Sequence, residues 1–143
     1  MGPLSRSLVR DLVSAIEQQD TERVGHLLSM GVPPDAIDIH SSWSPLHASV
    51  VYSPTLLAPL LAHTHNPDGP QVLGGTPLSY VVHELGEEPS PERKQQLLGA
   101  LELLLQAGAN PKCGASDQTA LELSRLYGLC DVEALLLKRA TYG

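Results

Sequence analysis

Aromatic side chains are scarce in this sequence, which has no Phe and only one Trp and four Tyr. β-Sandwiches and barrels draw on aromatic and β-branched residues to fill their cores, so this shortage argues against an all-β fold. Aliphatic side chains, above all Leu, are left to build the core. A Leu-rich chain punctuated by 12 Gly and 12 Pro is typical of short packed helices joined by tight turns.

Positive charge is also in short supply, because nine Lys and Arg stand against 16 Asp and Glu and give a net charge of −7. Nucleic acids and anionic membranes are bound through basic patches, so neither is expected as a partner. A basic protein partner suits this charge better. No apolar run reaches transmembrane length, and Arg6, Arg10 and Asp11 interrupt the stretch where a signal peptide needs apolar residues.

Cysteine is nearly absent, and the spacing of Cys113 and Cys130 matches neither a metal site nor a redox motif. Isolated thiols favour a reducing compartment, so we expect a protein of the cytoplasm, the nucleus or both. Neither Cys has a flanking basic cluster that would activate it as a nucleophile.

Signatures of catalysis and cofactor binding are missing as well. The segment "VLGGTP" lacks the Gly-Lys-Ser/Thr of a phosphate-binding loop, and no Gly-x-Ser-x-Gly elbow is present. His63 and His65, with Asp68 nearby, are the best candidate metal ligands, but the loop supplies no further strong ligand, which favours solvated histidines. We therefore expect a protein that is not an enzyme and that holds no cofactor or metal.

An internal repeat is the strongest positive signal. The segments "SPLHAS" and "TPLSYV" place Pro45 and Pro77 32 residues apart, and "TALELS" begins a third copy with Ala120 where the Pro stood. A Leu-Leu pair recurs in phase, since Leu27-Leu28 and Leu60-Leu61 are 33 residues apart. Each unit thus predicts a turn, a helix opened by Ser/Thr-Pro, a break and a second helix.

Local chemistry explains each landmark. Ser or Thr before Pro caps a helix, and Pro fits the first helical position because its missing N–H has no partner there. Gly31 and Gly108 follow second helices, where a left-handed residue ends a helix. One helix pair is too small to bury its apolar face, so neighbouring pairs must stack, and we expect the Leu pairs 60–61, 104–105 and 135–136 to be buried.

The segments "SPLHAS", "GGTPLSYVV", "LLLQAGANP" and "YGLCDVEALLL" resemble the ankyrin repeat family, whose unit of about 33 residues carries Thr-Pro-Leu-His-x-Ala and a closing Leu-Leu motif. His47 matches the motif His, which Ser79 and Glu122 replace in the next two units. The resemblance covers four units, at about 5–38, 39–70, 71–112 and 113–140. It implies an all-α fold, a solenoid of stacked helix pairs with short hairpin-like turns, capped at its ends by helix 4–18 and by "VEALLLKRATYG".

Two connections depart from the family pattern. In the third unit Gly86, Pro89 and Pro91 predict a loop, followed by a helix from Pro91 or Glu92 to about Ala107. This loop is either a solvated insertion without a role, or a partner-specific edge or a phosphorylation site at Ser90-Pro91. In "HTHNPDGPQVLGGTP" we expect a turn, with Val72-Leu73 in a finger-like hairpin.

The resemblance implies that a partner contacts the turn before Thr-Pro and the end of the first helix of each unit. Tyr52 and Tyr127 share one register, seven residues after Pro45 and Ala120, so both should project from one concave face. Glu92 and Arg93 are placed away from it. The predicted partner-binding residues are His40, Trp43, Val51, Tyr52, Leu73, His83, Glu84, Gln118, Leu126 and Tyr127. The alternative is that Trp43 covers the core edge and that the tyrosines pack between units.

The expected function is that of a non-catalytic protein–protein interaction module, an adaptor or scaffold whose concave face binds a protein or peptide. Two rivals remain open. One is a small inhibitor or chaperone that masks a basic partner, and the other is the docking fragment of a larger multidomain protein.

Overall fold

The computed structural model describes residues 2–34, 36, 44–64, 67, 76–112 and 119–142. Within these ranges the chain forms α-helices and one 3-10 turn, and none of the described residues lies in a strand, which confirms the all-α prediction. The elements are α1 (Gly2–Glu17), α2 (Thr21–Ser29), α3 (Pro45–Tyr52), the 3-10 turn (Pro54–Leu56), α4 (Leu57–Ala62), α5 (Pro77–Gly86), α6 (Pro91–Gln106), α7 (Ala120–Leu126) and α8 (Cys130–Tyr142).

The helices begin where the predicted caps stand. Ser44 accepts a hydrogen bond from the His47 amide at 3.2 Å, and Thr76 accepts one from the Ser79 amide at 3.2 Å. The Ser79 hydroxyl also accepts from the Thr76 amide at 2.8 Å, which completes a capping box. Ser79, which replaces the motif His in this unit, therefore supplies a cap of its own.

Two of the predicted helix ends are also confirmed. Gly31 follows α2 with φ of 91°, and Gly108 follows α6 with φ of 99°. A left-handed residue at these points closes the last helical turn, as the sequence predicted for these two Gly residues.

Consecutive helices pair, and the pairs contact each other. α1 packs on α2, α3 on α4, α5 on α6, and α7 on α8. The first helices of the pairs also form a series of contacts, α1 with α3, α3 with α5 and α5 with α7, while α4 contacts α6. Since each pair contacts the next, the core is shared along the series.

Leucine dominates that core, as the composition predicted. The side chains of Leu46, Leu60, Leu78, Leu104 and Leu136 are fully buried. The prediction for the Leu pairs is wrong at two positions. Leu61 and Leu135 are only half-buried. Adjacent residues of a helix point to different sides, and in these two pairs, unlike Leu104-Leu105, the packed surface covers only one Leu fully.

His47 ties two units together. Its ring is fully buried, Nδ1 lies 2.6 Å from the Ser44 hydroxyl, and the ring meets that of Tyr80 edge-on with centroids 5.1 Å apart. Burial raises the pKa of Tyr80 above its ordinary value of 10.0. His47 is thus a packing residue of the α3–α5 contact.

The loop predicted within the third unit needs correction. Gly86 is the last residue of α5, although the sequence placed it in the loop, and the link between the helices is only 87–90. Gly86 thus lies in the last turn of α5, where the ring of Tyr127 packs against it. The predicted start of α6 at Pro91 is confirmed, and the helix ends at Gln106, one residue before the predicted Ala107.

Candidate protein-binding surface

The C-terminal ends of the first helices lie side by side. Val51 and Tyr52 end α3, His83 and Glu84 lie in the last turn of α5, and Leu126 ends α7. We call this surface the helix-end row and define it as Gln19, Val51, Tyr52, His83, Glu84, Arg93, Leu126 and Tyr127. It contains six of the predicted binding residues; the other four, His40, Trp43, Leu73 and Gln118, lie outside the described residues.

Gln19 joins the end of α1 to the end of α3. Its side-chain amide donates to the main-chain carbonyl of Tyr52 at 3.1 Å. Gln19 itself has φ of 58°, a left-handed conformation that is uncommon for a residue with a side chain. The bond satisfies one of the carbonyls that a helix end leaves without an internal partner.

Arg93 joins three helices at the next position of the row. Its Nη2 atom donates to the carbonyl of Val51 at 2.9 Å and to Oε1 of Glu84 at 2.7 Å. The Arg93–Glu84 pair is well covered, with side-chain exposures of 31% and 22%. The sequence placed Arg93 away from the binding face, and that placement is wrong, because the first turn of α6 carries its guanidinium back to the ends of α3 and α5.

His83 joins α5 to the end of α7. Its Nδ1 atom lies 2.7 Å from the Tyr127 hydroxyl, and the two rings meet edge-on with centroids 5.8 Å apart. On its other side, Nε2 lies 3.5 Å from a carboxylate oxygen of Glu87, a contact that becomes an ion pair when the imidazole is protonated. Both ring nitrogens therefore face neighbouring side chains, which gives His83 a structural role.

Gly86 makes room for Tyr127. A Cβ atom built on Gly86 would lie 2.6 Å from both Cδ atoms of the Tyr127 ring, closer than carbon atoms approach without a clash. The ring consequently rests against the bare backbone of α5. No local sequence signal separates this Gly from an ordinary loop Gly, because the ring that needs the space comes from 41 residues further along the chain.

The two tyrosines with equal register lie in different surroundings. Tyr52 is exposed at 42%, whereas Tyr127 is half-buried between α5 and α7. The side chain next to Tyr127, that of Leu126, is the most exposed of the large apolar residues described, at 74%. The row thus presents Tyr52 and Leu126 to solvent, while Tyr127 has the packing role that the alternative interpretation assigned to the tyrosines.

Carboxylates border the row. Glu17 at the end of α1 and Glu87 and Glu88 after α5 are exposed. The guanidiniums at the row are already paired, that of Arg93 with Glu84 and that of Arg125 with Glu122 and Glu133. The surface therefore combines exposed apolar side chains with a surplus of negative charge.

Three residues that form or support this surface could not be recognised from the sequence: Gln19, Gly86 and Arg93. Two of them act through contacts with residues 33 and 42 positions away. Contacts between residues so far apart in the chain leave no pattern in the local sequence. The cap at Ser90 fixes where α6 begins and could be predicted, but it does not show which residues lie opposite Arg93.

The other candidate sites, the predicted metal ligands and the two thiols, are only partly described by the structure. His63 is exposed with Nδ1 3.2 Å from the Pro59 carbonyl, and His65 and Asp68 lie outside the described residues. Among the residues that the structure describes, no three His, Cys, Asp or Glu side chains cluster closely enough to hold a metal ion. Cys130 is exposed at the start of α8, and Cys113 lies in an undescribed range.

No helix in the described ranges has both the length and the apolar character needed to cross a membrane. Comparison with models of known protein families gives no match for this chain. A search of curated proteins likewise gives no significant match.

Proposed function

We propose that this chain is a non-catalytic protein-binding module, built as an ankyrin-type solenoid, whose helix-end row contacts a partner protein or peptide. The series of contacts from α1 through α7 supports the stacked arrangement, together with the repeated Ser/Thr-Pro caps. Adaptor or scaffold is the role that such a module would fill, in the cytoplasm or the nucleus.

The proposal rests on the exposed aromatic side chain of Tyr52, which stands on a backbone held by hydrogen bonds. Tyr52 leaves 42% of its surface in solvent, while its own carbonyl is held by Gln19 and that of Val51 by Arg93. Tyr is a favoured interface anchor. A backbone that is already held loses little freedom on binding, which leaves more of the contact energy for affinity.

The charge favours a basic partner. The exposed carboxylates of Glu17, Glu87 and Glu88 border the row, and the chain has a net charge of −7. Complementary charge raises the rate of encounter, and added salt lowers this rate because it screens the attraction. This feature also favours the second candidate, an inhibitor or chaperone that masks a basic partner, and it applies equally to a docking fragment of a larger protein.

The test starts with capture of partners by the intact chain and continues with one identified partner. Changing Trp43 and Tyr52 together to Ala should weaken its binding by about 2 kcal/mol or more, the scale of an interface hot spot. The unfolding midpoint should stay close to that of the unchanged protein. Both quantities are measured for each variant, affinity by calorimetry and the midpoint by circular dichroism.

Met30→Ala is the matched control, because Met30 is an apolar side chain exposed at 54% after α2, away from the row. It should leave affinity unchanged. Equal affinity of the Trp43/Tyr52 variant and the unchanged protein would rule out this face. If the unfolding midpoint of this variant falls far enough to explain the whole loss of binding, the two aromatic side chains stabilise the fold and do not contact the partner.

A further inference from the structure

Four dipeptides of the type Ser/Thr-Pro occur in the sequence, and their surroundings differ. Each Ser or Thr directly precedes a helix or the 3-10 turn. The hydroxyl residues Ser44 and Thr76 are 0% exposed and Ser53 is 6% exposed, but Ser90 is exposed. The four dipeptides are Ser44-Pro45, Ser53-Pro54, Thr76-Pro77 and Ser90-Pro91.

Ser90 is also presented in a form that an enzyme can bind. It ends the short link 87–90 between α5 and α6, with φ of −59° and ψ of 159°, an extended backbone. Its Oγ accepts a hydrogen bond from the Arg93 amide at 3.3 Å, so the hydroxyl proton takes no part in that bond. Protein kinases bind their substrates as extended segments, and one large class requires Pro directly after the Ser or Thr.

We propose that Ser90 is a phosphorylation site for a proline-directed protein kinase. In the reaction the Ser90 hydroxyl oxygen attacks the γ-phosphorus of ATP. The new O–P bond forms as the bond to the β-phosphate oxygen breaks, ADP leaves, and the hydroxyl proton passes to the base of the kinase. The three buried dipeptides carry the same sequence signal but are closed to the kinase by the fold.

The surroundings of Ser90 can accept a phosphate. It would stand at the N-terminal end of the 16-residue helix α6, where main-chain N–H groups and the helix dipole favour negative charge. Arg93 and Lys94 lie in the first turn and attract a phosphate, whereas the carboxylates of Glu87, Glu88 and Glu92 flank the site and repel it. Arg93, whose amide bonds to the Ser90 hydroxyl oxygen, is also the residue whose guanidinium holds Glu84 at 2.7 Å.

A phosphate at Ser90 would therefore compete with Glu84 for Arg93. This second step rests on the proposed function, since Arg93 and Glu84 belong to the helix-end row. If Arg93 turns to the phosphate, the carbonyl of Val51 and the carboxylate of Glu84 lose their common donor. Phosphorylation would then loosen the row and add negative charge at its edge, which regulates the surface that binds the partner.

The first experiment tests the modification alone. The folded full-length protein is incubated with ATP and a purified, active mitogen-activated or cyclin-dependent kinase, and the phosphate is located by mass spectrometry. Ser90 should be modified at least about tenfold faster than Ser44, Ser53 or Thr76, because exposing a buried hydroxyl requires an opening that few molecules undergo. Pro91→Ala should lose the modification although the hydroxyl remains.

No phosphate at Ser90 with either kinase would overturn the proposal. Modification of the buried dipeptides at a similar rate would also overturn it, because exposure would then not select the site. Undiminished labelling of the Pro91→Ala variant would exclude a proline-directed kinase.

The second experiment tests the effect on Arg93 and needs no partner. Glu84→Ala is made in both the unmodified and the phosphorylated protein, and the four thermal midpoints are compared. The substitution should lower the midpoint by about 2 °C less in the phosphorylated protein, the shift expected from losing part of a covered ion pair in a chain of this size. Equal losses in the two forms would overturn the competition for Arg93. Partner binding is tested separately, with the Trp43/Tyr52 variant. Failure of either experiment therefore does not decide the proposed function.

Discussion

Arg93 acts far from its position in the chain. Its guanidinium reaches the carbonyl of Val51 and the carboxylate of Glu84, residues 42 and nine positions earlier. Lys94, the next residue and also basic, is exposed. Two adjacent positive charges in the first turn of α6 thus have different functions, one in joining three helices and one in contact with solvent.

Changing Arg93 to Gln should therefore lower the free energy of unfolding by about 1–2 kcal/mol, since one charged and one main-chain hydrogen bond are lost at a partly covered site. Lys94→Gln is the control and should change it by less than about 0.5 kcal/mol. Urea unfolding of both variants measures the difference. Equal stability of the two variants would mean that the bonds of Arg93 contribute nothing.

Gly86 gives a second comparison between like residues. Gly86→Ala should destabilise the protein by about 1–3 kcal/mol, the range for forcing an atom into occupied space, because the new methyl group would overlap the Tyr127 ring. Gly99 lies within α6 with nothing near its missing Cβ, so Gly99→Ala should stabilise by up to about 1 kcal/mol through helix propensity. The same urea measurement compares them. A stabilising Gly86→Ala would show that Tyr127 does not pack there.

The positions of the helices can be predicted closely from the local sequence, whereas the contacts between helices cannot. Ser44, Thr76 and Ser90 each cap the helix that the sequence assigned to them, because capping depends on residues three positions apart. The role of Gly86 escapes local sequence for the opposite reason, because the ring that needs the missing Cβ belongs to Tyr127, 41 residues further along the chain. The different burial of Tyr52 and Tyr127 has the same origin. Equal register fixes the side of the helix from which each side chain projects, but not which residues it meets there.

Helix α6 tests the packing assigned to the core. Leu104 is 0% exposed, while Leu98 in the same helix is 37% exposed. Leu104→Ala should cost about 2–5 kcal/mol of stability, as truncations of core Leu residues do. Leu98→Ala should cost less than about 1 kcal/mol. Chemical unfolding separates the two, and similar losses would contradict the orientation of α6.

The whole molecule is linked in two ways, through the shared Leu core and through the helix-end row. Gln19 links α1 to α3, Arg93 links α3, α5 and α6, and His83 links α5 to α7. Neighbour contacts of this kind make the stability of one unit depend on the next. Separate unfolding of single units is therefore not expected.

We expect one cooperative transition for the full chain. The loss of helix followed by circular dichroism and the change in Tyr and Trp fluorescence should have the same midpoint in urea. Midpoints that differ beyond error, or a plateau between two transitions, would show that the units unfold independently.

The bonds along the row end on main-chain oxygens at two positions, the carbonyls of Val51 and Tyr52. Every amino acid has such an oxygen, so these links do not depend on which side chains stand at positions 51 and 52. Those two positions can therefore diversify, in evolution or in a combinatorial library, while the register of the neighbouring helices is kept. The same scaffold could in this way acquire new binding specificities without being refolded for each.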